Sequence, residues 1–155
     1  MIGRRPKILL DAGIGAISDA VIKLRGNVMG QLISTGLDAP VRLARLLQEG
    51  VQVGMLVDQH YTKGVDVTFF GRPCKANPLI ALLARQTESP IHGMRVVRLP
   101  SGDRFWTEIT APIEAPRAAD GRIDIAGTMQ AITTVIEGWV REHPEQWLWL
   151  HNRWR

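Results

Sequence analysis

The apolar positions change their period several times along the chain, and each change marks an element. Ile14, Ile17, Val21 and Leu24 recur at steps of three and four, which predicts a helix over about 14–25 that Gly26 can stop. A second helix is predicted from about 39 to 49. Asp38 is its N-cap, Pro40 lies in its first turn, Leu43, Leu46 and Leu47 form the inner face, and Gly50 closes it. Val51–Asp58 is short, rich in valine and polar at its end, and reads as a buried strand. Val65–Phe70 alternates weakly and predicts a short strand before the Gly71-Arg-Pro73 turn. Asn77-Pro78 opens a helix through Leu79, Ile80, Leu83 and Ala84 to about Thr87.

Two further strands, about His92–Leu99 and Arg104–Ile109, are joined by the turn Pro100-Ser-Gly-Asp103. A loop follows from Ala111 to Gly121. The last helix carries a long stripe of Ile125, Met129, Ile132, Val135, Ile136, Trp139 and Val140, with Gln130, Thr133, Glu137 and Arg141 expected to face outward. Alternating helices and strands give the class α/β, and the hairpin implies a mixed sheet with flanking helices. With no repeat, linker or compositional break, 155 residues are expected to form one domain.

Composition narrows this little. Apolar residues are 45% and charged residues 22%, which excludes a disordered chain. The longest aliphatic run, Leu79–Ala84, is far short of the roughly 20 residues of a spanning helix. The basic start Met1–Lys7 leads into no long apolar stretch with a cleavage site, so a signal peptide is not expected. A single cysteine, Cys74, allows no internal disulfide and fits a reducing compartment. The net charge is +4, and arginine supplies 15 of the 19 basic side chains. Arginine suits bidentate anion binding, although a GC-rich genome would give the same bias. The charges are spread out, so a nucleic-acid-binding tail is not indicated.

Candidate chemistry concentrates in Asp58-Gln-His-Tyr-Thr-Lys63, which offers a carboxylate, an amide, an imidazole and an ammonium just past a buried strand. Open α/β sheets place ligand sites there, although a solvated loop would read the same way. His60 and Asp66 have no recognised dyad spacing, no serine sits in a nucleophile elbow, and Cys74 has no catalytic signature. No cluster has metal-ligand spacing, so no metal site is expected. Gly13-Ile-Gly15 lacks the third glycine of a dinucleotide fingerprint. The segment Pro144-Glu-Gln-Trp-Leu-Trp-Leu-His-Asn-Arg-Trp-Arg155 packs three tryptophans and two arginines into its last nine residues. Such a segment either docks into the core or meets a lipid interface.

Three blocks occur in order: Val53-Gly-Met-Leu-Val-Asp-Gln59, Thr68-Phe-Phe-Gly-Arg-Pro73, and the closing Pro-Glu-Gln-Trp-Leu-Trp-Leu-His-x-Arg-Trp. Together they resemble the lipid A late acyltransferases, the lauroyl/myristoyl acyltransferase family of Gram-negative bacteria, over about residues 20–155. The resemblance implies a glycerolipid-acyltransferase-like fold. It further implies transfer of a fatty acyl chain from acyl carrier protein to a hydroxyl of a lipid A precursor, at the cytoplasmic face of the inner membrane. No cofactor is implied beyond the carrier-linked acyl chain, and no nucleic-acid partner. Members carry a His with Asp or Glu five positions later as a general-base dyad, after an N-terminal membrane helix.

The sequence departs from that pattern at the dyad. His60 is followed five residues on by Val65, His92 by Val97 and His143 by Leu148, while His151 is too close to the end. The resemblance therefore points to the C-terminal half of a member, with Arg5-Pro6 as a remnant of an upstream segment. Carried over by position, Asp58 matches the family's acidic residue after the strand, and Arg25 an arginine near the cleft. His60 and Gln59 would support them. Lys63 and Arg72 are candidate phosphate contacts, and Phe70 and Gly71 belong to the substrate-binding block. The rival expectation is a non-catalytic lipid- or partner-binding remnant; a basic nucleic-acid-binding domain rests on net charge alone. Half of the fold, including neighbours of the Val51–Val57 strand, is expected to be missing.

Overall fold

A computed structural model describes residues 7–10, 32–34 and 36–154. The predicted helix over 14–25, with Arg25 and Gly26, lies outside the described residues, as does Arg5-Pro6. The chain divides into two compact units after Leu56.

In the first unit, strands β1 (Lys7–Leu10), β2 (Leu32–Ser34) and β3 (Val53–Gly54) form a parallel sheet in the order β2-β1-β3. Ile8 pairs with Leu32 on one side and Gly54 on the other. The eight-residue strand expected over Val51–Asp58 pairs only at Val53–Gly54; Val51 is buried and Leu56 exposed. Its neighbour on one side is β1, which the periodicity did not reveal because four residues are too few to show a period. Helix α1 (Ala39–Gln48) buries Ala39, Leu43 and Ala44, so alanines stand where Leu46 and Leu47 were expected. Asp38 makes no cap hydrogen bond through its side chain, which instead lies 3.5 Å from Arg42. Gly50, at φ 72°, does end the helix. Its N–H donates to Leu47 O and that of Val51 to Leu46 O, the paired bonds of a glycine-terminated helix.

The second unit holds two antiparallel hairpins and two helices. Strands β4 (His60–Phe69) and β5 (Arg72–Ala76) are joined by Phe70 and Gly71, with φ of 52° and 70°. Two consecutive positive φ values are the signature of the tight hairpin turn that matches strand twist. The Gly71-Arg-Pro73 turn is thus a hairpin tip one residue earlier, with Arg72 and Pro73 already in β5. Asn77 Oδ1 accepts from Leu79 N at 3.0 Å and opens α2 (Leu79–Thr87). Strands β6 (His92–Arg98) and β7 (Phe105–Pro112) form the second hairpin, with Met94 opposite Ile109 and Arg98 opposite Phe105. Both parallel and antiparallel pairing occur in this α/β chain, but in separate sheets.

Helix α3 (Ile125–Glu142) is capped by Asp124, whose carboxylate accepts from the N–H groups of Ala126 and Gly127, both at 3.1 Å. Its buried face is Thr128, Met129, Ile132, Thr133, Ile136 and Val140, packed with Val67, Phe69, Cys74 and Ala76 of the first hairpin and Ala81 and Ala84 of α2. Thr133 faces the core, against expectation. Its hydroxyl is satisfied within the helix by donating to Met129 O at 2.7 Å, so burial costs little. Gln130 and Glu137 also turn from solvent toward β4.

Candidate functional site

The site is organised by an irregularity in β4. Both His60 and Val65 pair with Ala76, so Tyr61–Gly64 leave the ladder between them. Gly64 makes this possible: a Cβ there would fall 2.2 Å from Ala76 O and 2.8 Å from Tyr61 O. The excursion turns the expected post-strand loop into the start of β4. It brings His60 back to the hairpin and leaves Tyr61, Thr62 and Lys63 exposed.

The end of the chain folds onto this hairpin. The Arg153 guanidinium is buried and donates through Nη1 to Gln59 O. His151 Nε2 accepts from His60 N at 2.9 Å. Trp154 Nε1 donates to Phe69 O at 3.0 Å, and its ring stacks on Phe69 at 5.6 Å between centroids. Phe69 also meets Phe70 edge-on at 4.8 Å and Trp147 at 5.9 Å, with the Arg153 guanidinium 5.7 Å from its ring. From the other side, α3 binds the backbone of the same strand. Gln130 accepts from Thr68 N at 2.7 Å and donates to Thr68 O at 3.0 Å, and Glu137 Oε2 accepts from Phe70 N at 2.6 Å.

Charge is concentrated around Arg153. Burial pulls its pKa below the ordinary value, opposed by Cys74, which could carry charge only as a thiolate, and by the Asp58 carboxylate. Burial likewise pushes the Cys74 thiol up, and the Arg153 charge works against it. Glu137 is held below the usual carboxylate range, chiefly by the Phe70 N–H and further by Arg141, 2.6 Å away. Two more cations lie on aromatic faces: Arg141 over Phe70 at 4.5 Å and Arg72 over Trp154 at 5.1 Å.

The residues singled out from the sequence are thus partly gathered. Gln59 and His60 lie at the Arg153 end, directly after Asp58, while Phe70, Gly71 and Arg72 form the hairpin tip, where Arg141 lies over Phe70 and Arg72 over Trp154. Lys63 stands exposed on the excursion, and Arg25 is outside the described residues. Gln59 contributes its carbonyl rather than its amide side chain. His60 Nδ1 is buried and has no partner, and Asp66 pairs with Lys75 at 2.8 Å. Arg153, His151, Gln130 and Glu137 were not anticipated as site residues. The signal for the first two was the closing motif itself, in which both residues occur. Of the two expectations for that segment, the structure shows docking onto the core. Trp147 and Trp154 pack on the core, while Leu148, Trp149 and Leu150 are exposed. The arrangement holds a backbone peptide from both ends.

Among the described residues no group of three His, Cys, Asp or Glu could hold a metal ion. Among them, too, no helix is long and apolar enough to cross a membrane. Compared with known families, residues 16–155 match the bacterial lipid A biosynthesis acyltransferases. No curated protein matches the chain.

Proposed function

The chain belongs to the bacterial lipid A biosynthesis acyltransferases, and from that premise we propose that it serves transfer of a fatty acyl chain from acyl carrier protein to a hydroxyl of a lipid A precursor. The family match across residues 16–155 carries this reading. Its work would be done at the cytoplasmic face of the inner membrane of a Gram-negative cell. Asp58 with its Arg153 counter-charge forms the centre of the site, and Arg72 at the hairpin tip contacts precursor phosphate. No His in these 155 residues has a carboxylate five positions on. We therefore assign precursor binding, not turnover, to the chain as it stands. The same observation favours the second reading, a lipid- or partner-binding form of the fold without catalysis.

Co-sedimentation with vesicles tests the assignment. Vesicles carrying a lipid A precursor should retain the chain, and vesicles of the same lipids without it should retain less. Arg72→Ala should weaken the difference. Equal retention on both, or tighter binding to duplex DNA with a steep salt dependence, would overturn it.

A further inference from the structure

Gln59 O and His60 N belong to one peptide group, and two side chains of the closing motif grip it from opposite sides. Arg153 donates to the oxygen, and His151 accepts from the nitrogen at 2.9 Å. Because the peptide is planar, holding both ends fixes its rotation. That rotation sets ψ of Gln59 and φ of His60, and with them the directions in which the Gln59 and His60 side chains leave the backbone. The grip falls where it is needed. Tyr61–Gly64 leave the ladder immediately afterwards, so the His60–Ala76 pair stands apart from the continuous ladder that begins at Val65. A third bond, Trp154 Nε1 to Phe69 O, anchors the same four-residue stretch at the other end of β4.

The chemistry of the two grips is specific. To accept at Nε2, His151 must be neutral with its proton on Nδ1. Among the described residues no carboxylate lies within ion-pair distance of Arg153, although its guanidinium is buried. An isolated buried charge is costly. The Asp58 carboxylate, next in the chain to the carbonyl that Arg153 grips, supplies a partial counter-charge.

We propose that His151 and Arg153 are positioning residues, a clasp that sets the orientation of the Gln59 and His60 side chains by pinning the peptide between them. This deepens the acyltransferase reading and rests on it for the statement that Gln59 and His60 belong to the site. The clasp itself is read without any substrate. In the ¹⁵N-labelled full chain, long-range proton–nitrogen correlation should show His151 as the Nδ1–H tautomer. Exchange of the His60 amide should accelerate by about 10-fold in His151→Ala, the effect of losing one ordinary hydrogen bond. It should return toward wild type in His151→Gln, whose side-chain oxygen can accept. The Ala126 and Gly127 amides, capped by Asp124, should not change and so report any general loss of stability. An Nε2–H tautomer in the wild type, or a His60 amide indifferent to His151→Ala, would overturn the clasp.

Its positioning role is read on precursor-bearing vesicles. His151→Ala and Arg153→Met should lower retention several-fold, and His151→Gln should not. Altered His60 exchange with unchanged retention would make the clasp structural only and overturn the proposal. A wild-type chain that holds the clasp but ignores the precursor would instead refute the functional reading.

Discussion

Phe69 is the residue on which the first hairpin, α3 and the closing segment converge, and Phe69→Leu measures what that convergence contributes. Its side chain is 1% exposed and touches the rings of Phe70, Trp147 and Trp154. Leucine keeps most of the apolar bulk but loses ring contacts worth about 0.5–1.5 kcal/mol each beyond their area. Repacking recovers part of this, so a net loss of about 1–3 kcal/mol is expected, in the range of conservative core changes. For a unit of roughly 100 residues, 1 kcal/mol shifts the melting temperature by about 4–8 °C. The expected drop is therefore at least about 4 °C by far-ultraviolet circular dichroism, with the urea midpoint falling in step. Phe105→Leu is the control. Phe105 is 54% exposed on β7 and should change stability by less than about 0.5 kcal/mol. Equal shifts for the two variants, or none for Phe69→Leu, would show that the closing segment does not pack on this ring.

Two further outcomes follow from the same hairpin. Gly64→Ala places a Cβ 2.2 Å from Ala76 O, a backbone atom that cannot move aside without opening the pairing; it should destabilise by about 1–3 kcal/mol in urea unfolding. The Glu137 carboxyl, held below its ordinary value of 4.5 by the Phe70 N–H and Arg141, adds stability that is present above that value and lost as the pH falls through the lowered folded one. Glu88, held down by Arg117, acts in the same direction. Melting temperature should thus fall on acidification below about pH 4.5, less steeply in Glu137→Gln, and an identical acid profile in the variant would refute the linkage.

The long periodic elements were legible in the sequence. Helix α3 shows its stripe over more than four turns, α1 and α2 carry proline near the start, and Gly50 marks the end of α1. Elements of two to four residues were not legible, because β1 and β2 are too short to show a period. The polar run Asp58–Lys63 was legible as a place for chemistry but not as strand. Its entry into β4 depends on Gly64 and a shared partner, Ala76, contributed twelve residues later. Thr133 and Glu137 were misread for a related reason. Polar residues on a helix face inward when a backbone or a strand edge satisfies them, and pattern alone does not show that partner. The closing motif was identified as the most specific stretch, yet which of its side chains turn inward depends on a hairpin more than 80 residues upstream.

The account stands most directly on an acyl-transfer assay with the 155-residue chain, acyl carrier protein loaded with a fatty acyl group, and a lipid A precursor. A positioned general base contributes roughly 10²–10⁴-fold to such a reaction, and the histidines in this chain lack the paired carboxylate. The expected result is retention of the precursor with no transfer above the protein-free blank. Turnover that disappears in His60→Ala would contradict it and make the His60 imidazole, with its unpartnered Nδ1, a working base.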